Sequence, residues 1–170
     1  MGPLVDQRAV DAYLTFMGMA KREGFEEIMR GKQITKKHQG YYVTPSIHFS
    51  EEWKSDSHFL SSEIFGPNCT FVTYENIEEA IEMANQSEYG LAAGIFTQDE
   101  AIFRKCFEDI EAGLINWNRS TCGASPKLPF GGLKNSGNYR PAAVAMIDSC
   151  VQQKASLQMQ EVSPSGLNSI

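Results

Sequence analysis

Glu63-Ile64-Phe65-Gly66-Pro67 is the stretch of this sequence whose residue types most directly suggest chemistry. It closes a polar run, Ser55 to Ser62, and opens an apolar, β-prone one, Cys69 to Tyr74. On extended backbone, residues two apart face the same way, so Glu63 and Phe65 share a side before the Gly-Pro pair re-aims the chain. A carboxylate that accepts hydrogen bonds, next to a ring that covers a flat face, suits a planar, hydroxyl-bearing ligand. The competing reading is the start of a strand, with an exposed Glu and a core Phe.

Other constellations are weaker. Pro129-Phe-Gly-Gly-Leu-Lys-Asn-Ser-Gly137 invites a phosphate-loop reading. That reading fails because Gly137 is followed by Asn138-Tyr139, where such a loop needs Lys and then Ser or Thr. There is no Gly-x-Gly-x-x-Gly, His-Glu-x-x-His or Gly-x-Ser-x-Gly, and no carboxylate cluster resembling a metal site. Cys69, Cys106, Cys122 and Cys150 are widely spaced, with no Cys-x-x-Cys and no His at zinc spacing. They read as reduced thiols of a cytoplasmic protein. The glycosylation matches at Asn68 and Asn118 then carry no meaning.

The elements that position these residues follow from pattern. A chain of 170 residues, 42% hydrophobic, is one ordinary domain with a real core. Its net charge of −6 argues against nucleic acid or an anionic membrane as partner, and no run reaches the length of a membrane span. Ala9, Tyr13, Phe16, Met17 and Ala20 predict a helix ended at Gly24. Glu26 to Arg30 predicts a strand, Lys32 to Gln39 a basic turn whose Lys36-Lys37-His38 cluster is solvated, and Tyr41 to Ile47 a strand bent at Pro45. His48 to Ser62 reads as a long loop.

From Cys69 the pattern becomes regular. Cys69 to Tyr74 is strand-like, Asn76 with Glu79 forms a capping box for a helix striped by Ile77, Ala80, Ile81 and Ala84, and Leu91 to Phe96 is the next strand. Thr97 with Glu100 repeats the box before a helix that makes Cys106 a core thiol, and Gly113 to Trp117 is a third strand. This order predicts an α/β fold, a parallel, Rossmann-like sheet with flanking helices. Asn118 to Tyr139 lies beyond the last strand, where such sheets keep ligand crevices. Arg140-Pro141 starts a helix whose Ala142, Ala145, Met146 and Ser149 pack closely. Val151 to Met159 predicts a terminal edge strand, followed by a frayed tail from Glu161.

Taken together, Glu63 to Pro67, Asn85 with Tyr89 to Phe96, Pro129 to Gly132 with Ser136-Gly137, and the leading Gly2-Pro3-Leu4 resemble successive motifs of the NAD(P)-dependent aldehyde dehydrogenase superfamily. The resemblance covers roughly residues 1 to 158. Ile115-Asn-Trp-Asn118, Gly123-Ala-Ser125 and Ser136 to Pro141 are similar to the branch that oxidises succinylglutamate semialdehyde in arginine breakdown. The resemblance implies residues 1–150 as the C-terminal part of a catalytic domain, 151–160 as an oligomerisation strand and 161–170 as a disordered tail. It implies NAD or NADP as cofactor, a small aldehyde as substrate and a homo-oligomer as assembly. Glu63 would accept hydrogen bonds from the nicotinamide ribose and Phe65 would pack beside the nicotinamide. Arg119, Cys122, Gly123, Ala124 and Ser125 would line the aldehyde entrance, with the Gly123 and Ala124 N–H groups and the Ser125 hydroxyl on a substrate carboxylate. The family's nucleophilic cysteine, general-base glutamate and Rossmann cofactor domain have no counterpart in these residues, so the chain by itself is expected to be inactive. The alternative is a non-catalytic oligomerisation or binding module derived from the same fold.

Overall fold

The computed structural model describes residues 1–35, 39–137, 142–143 and 146–158. The Lys36-Lys37-His38 cluster, the expected helix start at Arg140-Pro141, Ala145 and the tail from Glu161 lie outside the described residues.

Helix α1 (Gln7–Arg22) begins where Asp6 accepts the Ala9 N–H at 2.8 Å, a bond that holds the Asp6 carboxyl below its ordinary range. It ends where Gly24 takes a φ of 77°, so that Phe25 N–H reaches Ala20 O and Gly24 N–H reaches Lys21 O. Val10, Tyr13, Met17 and Ala20 form its buried stripe. Tyr13, Met17 and Ala20 are buried as expected, Phe16 is half-buried, and Val10 takes the buried place expected of Ala9, which is half-buried.

Strand β1 (Glu26–Met29) pairs antiparallel with β4 (Ser46–Ser50), with a bulge at Ile28, and β4 pairs in parallel with β5 (Asn68–Val72). Between them a two-residue pair, β2 (Gln33–Ile34) and β3 (Tyr42–Val43), occupies part of the expected basic turn and ends before Pro45. The predicted loop from His48 is corrected twice. His48 to Ser50 complete β4, and Ser57 caps a short helix α2 (His58–Ser61). The inward face of β4 is polar: Ser46 and His48 are buried and both turn to Asn68 Oδ1, at 2.9 and 3.1 Å. α1 (Tyr13, Met17, Ala20), the Phe25 that follows it and α2 (Phe59) cover that face, while Ile47 and Phe49 are half-buried on the other.

The second half follows the predicted order. Helix α3 (Ile77–Asn85) is capped by Asn76, whose Oδ1 accepts Glu79 N–H at 2.9 Å. Then come β6 (Tyr89–Gly90), β7 (Ala92–Ile95), helix α4 (Glu100–Asp109) and β8 (Leu114–Trp117), with β7 and β8 parallel. The cap of α4 is Asp99 rather than Thr97, because the Asp99 carboxylate reaches Ala101 N–H at 2.8 Å. β9 (Leu133–Lys134) pairs antiparallel with β6 inside the segment expected to be loop. The fold is thus α/β, but its strands do not line up in one sheet. β5 pairs with β4, β7 pairs with β8, and no ladder joins β5 to β7 among the described residues. Helix α5 (Met146–Cys150) is wholly exposed, and Ala142 forms a bridge to Phe130 instead of helix. Residues 151–158 pair with no strand among the described residues, and Met159, the last residue of the expected terminal strand, lies outside them.

Candidate functional site

Tyr13 fixes the Glu63–Pro67 turn. Its ring is buried against α2, and its hydroxyl donates to Thr44 O at 2.9 Å and, less closely, to Pro67 O at 3.4 Å. Burial raises its pKa. Gly66 lies flat on the ring: a Cβ there would stand 2.5 Å from Tyr13 Cδ2, so only glycine fits. Backbone bonds complete the turn, Gly66 N–H to Ile64 O and Asn68 N–H to Gly66 O, both 2.8 Å, with Ser46 N–H on Pro67 O at 2.9 Å. On the upstream side Glu23 holds α2 by accepting the Ser57 hydroxyl at 2.5 Å and Phe59 N–H at 3.3 Å.

Within that frame the side chains alternate. Ile64 packs on the buried cluster, whereas Glu63 and Phe65 face out and Phe65 is 81% exposed. The core-Phe reading is therefore excluded, and the acid and the ring stand on the solvent side of an immobilised turn. Beside Phe65 opens a cleft of about 520 Å³ whose walls are Met1–Val5, Ala9 and Phe65–Pro67. Leu4 N–H holds the N-terminal wall by donating to Tyr41 O at 2.8 Å. Val5 and Ala9 were missed as lining residues. The signal available was the phase of the α1 stripe, which turns Ala9 off the core once Val10 is on it.

The second group sits beyond β8. Asn118, at φ 51°, braces its own turn by accepting Thr97 N–H at 3.0 Å and donating to Thr97 O at 2.9 Å. Gly94 lacks a Cβ where one would stand 2.8 Å from Arg119 O, so the loop root closes over β7. From there Arg119, Cys122, Gly123, Ala124 and Ser125 are all exposed, with Gly123 at φ 92°. Ser125 Oγ accepts Lys127 N–H at 3.2 Å and keeps its own O–H to donate. Among the described residues no hydrogen bond or ion pair joins this loop to Glu63 or Phe65, and it contributes nothing to the cleft at Phe65. The chain positions the two groups separately.

The glycine-rich segment has a structural task in this chain. Lys134, at φ 50°, donates from Nζ to Asn85 O at 2.6 Å and Ser87 O at 3.0 Å and pairs with Glu111 at 2.5 Å. Asn85 in turn ties α3 to the α4–β8 turn, donating to Asp109 O at 2.7 Å and accepting Glu111 N–H at 2.8 Å. The Gly131 carbonyl lies against Gly113, where any side chain would collide with it. The Asn85, Tyr89-Gly90 and Pro129–Gly137 motifs are thus one packed unit. Cys106 is buried as expected, and desolvation first and Asp109 second raise its thiol pKa.

A family profile described as "Aldehyde dehydrogenase family" matches residues 1–156. The chain belongs to the aldehyde dehydrogenase family. N-succinylglutamate 5-semialdehyde dehydrogenase of Photorhabdus laumondii is 44% identical over 100 residues, which is 59% of this chain and 20% of that protein. N-succinylglutamate 5-semialdehyde dehydrogenase 1 of Caulobacter vibrioides is 38% identical over 158 residues, 93% of this chain and 32% of that protein. Among solved structures, the NAD-dependent aldehyde dehydrogenase from Sinorhizobium meliloti superposes with a TM-score of 0.87 at 25% identity, over 96% of this chain and 32% of that one. The chain therefore spans about a third or less of these relatives. Among the described residues no helix is long and apolar enough to cross a membrane, and no group of side chains is arranged to hold a metal ion.

Proposed function

We propose that this chain forms the nicotinamide-facing wall and the aldehyde entrance of an enzyme of arginine breakdown. That enzyme would oxidise N-succinylglutamate 5-semialdehyde to the carboxylate with NAD or NADP. The observation that carries the reading is Phe65, a large ring left 81% exposed on a turn whose neighbours Ile64, Gly66 and Pro67 are all fixed from behind. A flat ring beside an apolar cleft, with the Glu63 carboxylate two residues away, fits a nicotinamide and its ribose hydroxyls. The cofactor, when bound, supplies the hydride acceptor. Glu63 accepts hydrogen bonds from the ribose, and Phe65 limits the tilt of the ring, so both act by positioning. At the entrance, Gly123 and Ala124 N–H groups and the free Ser125 O–H hold the carboxylate of the substrate, Arg119 adds positive charge, and Cys122 lines the wall.

The thiols of this chain take no part in carbon–sulfur bond formation in this reading. The nucleophile comes from elsewhere in the working enzyme, and segment 151–160 serves as a strand given to a second copy. Supporting this, the segment's described part is exposed and pairs with no strand among the described residues. The test is titration of the chain with nicotinamide mononucleotide, followed by amide chemical shifts. Shifts at Val5, Ala9 and Gly66 that vanish in Phe65→Ala support the reading, and shifts confined to other residues overturn it. With NAD and the semialdehyde the isolated chain should produce no NADH; turnover lost on Cys122→Ala would return the nucleophile to this chain.

A further inference from the structure

The loop beyond β8 carries more positive charge than a single carboxylate uses. The chain has 21 acidic against 15 basic residues, yet no Asp or Glu falls between Glu111 and Asp148, where Arg119, Lys127, Lys134 and Arg140 do. Arg140 lies outside the described residues. Lys134 is spent within the fold, on Glu111 and on the carbonyls of Asn85 and Ser87. Arg119 and Lys127 remain. Both are exposed, and among the described residues neither side chain makes an ion pair or a hydrogen bond. They stand on either side of Gly123-Ala124-Ser125 in the sequence of an otherwise acidic molecule. A cationic loop with no acid of its own draws anions.

Lys127 is tied to that loop by a turn. Ser125-Pro126-Lys127-Leu128 has the residue types of a β-turn, Ser first and then Pro, whose ring presets φ. The turn forms: Leu128 N–H donates to Ser125 O and Lys127 N–H donates to Ser125 Oγ, both at 3.2 Å. These two bonds hold the backbone of Lys127 beside the Ser125 hydroxyl, and the ammonium extends from there on its four-carbon stem. A second cation kept at a limited distance from a carboxylate site suits a ligand with two negative groups. We infer that Lys127 is a specificity-determining residue, which holds a second carboxylate of the aldehyde and so favours dianionic over monoanionic substrates. The inference rests on the reading of residues 123–125 as the aldehyde entrance. In N-succinylglutamate 5-semialdehyde the second carboxylate is the one that ends the succinyl arm. The carboxylate on the carbon chain that bears the aldehyde is then the one held at Ser125.

Two unreactive analogues test it. N-succinyl-L-norvaline keeps both carboxylates and has a methyl group in place of the aldehyde, and N-butyryl-L-norvaline replaces the arm's terminal carboxylate by a methyl as well. Titrated into the chain and followed by amide chemical shifts, both should move Gly123, Ala124 and Ser125. The succinyl compound should bind about fivefold more tightly, the upper end for an exposed ion pair. Lys127→Gln should bring the succinyl compound down to the butyryl value and leave the butyryl value unchanged. Lys127→Arg should keep the difference, as should Lys21→Gln, which removes an exposed charge from the end of α1. Added salt should shrink it. The amide spectrum shows that each variant stays folded. Equal binding of the two analogues, or a Lys127→Gln that weakens both alike, overturns the inference and leaves the entrance reading in place. Analogues that move none of the loop amides overturn both.

Discussion

Replacing Phe65 by alanine separates a ring that is presented from a ring that is packed. About a fifth of the Phe65 surface is covered, the other 81% being open. A phenylalanine can bury on the order of 200 Å², so the covered share is about 40 Å². At roughly 25 cal/mol per Å² the lost burial amounts to about 1 kcal/mol, an upper bound because the unfolded chain also shields some of it. Phe59, 2% exposed in the cluster around Tyr13, provides the contrast. Its truncation should cost about 3–5 kcal/mol or unfold the chain. Urea denaturation followed by circular dichroism gives both values under identical conditions, with equal m-values required for the comparison. A Phe65→Ala cost in the Phe59 range would mean that the ring is structural. The assignment of the turn as a ligand-facing wall would then fail, whatever the binding data showed.

Two further outcomes follow from the same contacts. Gly66→Ala should destabilise the chain by about 1–3 kcal/mol, because the new methyl overlaps the Tyr13 ring, while Gly2→Ala, with nothing within 4 Å, should be nearly silent in the same urea assay. Stability should also decline at alkaline pH. Burial raises the Cys106 thiol above its ordinary 9.0 and the Tyr13 hydroxyl above its ordinary 10.0, so the unfolded chain loses these protons first. Their contribution is complete below about pH 9 and is lost as pH climbs through the folded-state values. Cys106→Ala and Tyr13→Phe should each flatten the alkaline slope of the urea midpoint, and an unchanged slope in both would refute the assignment.

What the sequence disclosed depended on how many residues spoke for each element. Helices α1, α3 and α4 each carry a run of apolar positions and a capping residue, and all three appear where the pattern put them. Their edges were less legible. Asp99 and Thr97 compete for one cap, and only geometry shows which carboxylate or hydroxyl reaches an amide. The pairs β2–β3 and β6–β9 have two residues per strand, too few for any periodicity to register. β4 misled because its buried side is Ser46, His48 and Ser50, which reads as loop until Asn68 is seen satisfying two of them. At the site, the outward pairing of Glu63 and Phe65 was legible from the period of two. The Val5 and Ala9 wall was not, because it arises from a fold-back of the N-terminus that no local pattern records.

Tyr13 ties the core to the backbone of the Glu63–Pro67 turn. It lies on the core stripe of α1, four residues after the cleft-lining Ala9, and it supports Gly66 directly behind Phe65. Its hydroxyl also holds Thr44 O, at the bend that separates β3 from β4. Any movement of α1 along its axis must therefore shift one wall of the cleft and strain the support of the other at once. On the proposed reading, a site that holds a flat ligand by position alone needs that coupling, because among the described residues neither Glu63 nor Phe65 makes a hydrogen bond of its own that would return it to place. The stiffness of the turn comes from what lies behind it. Glycine at 66 is consequently a requirement of the proposed site as much as of the fold, since it is the lack of a side chain there that lets the ring of Tyr13 press on the backbone that presents Phe65.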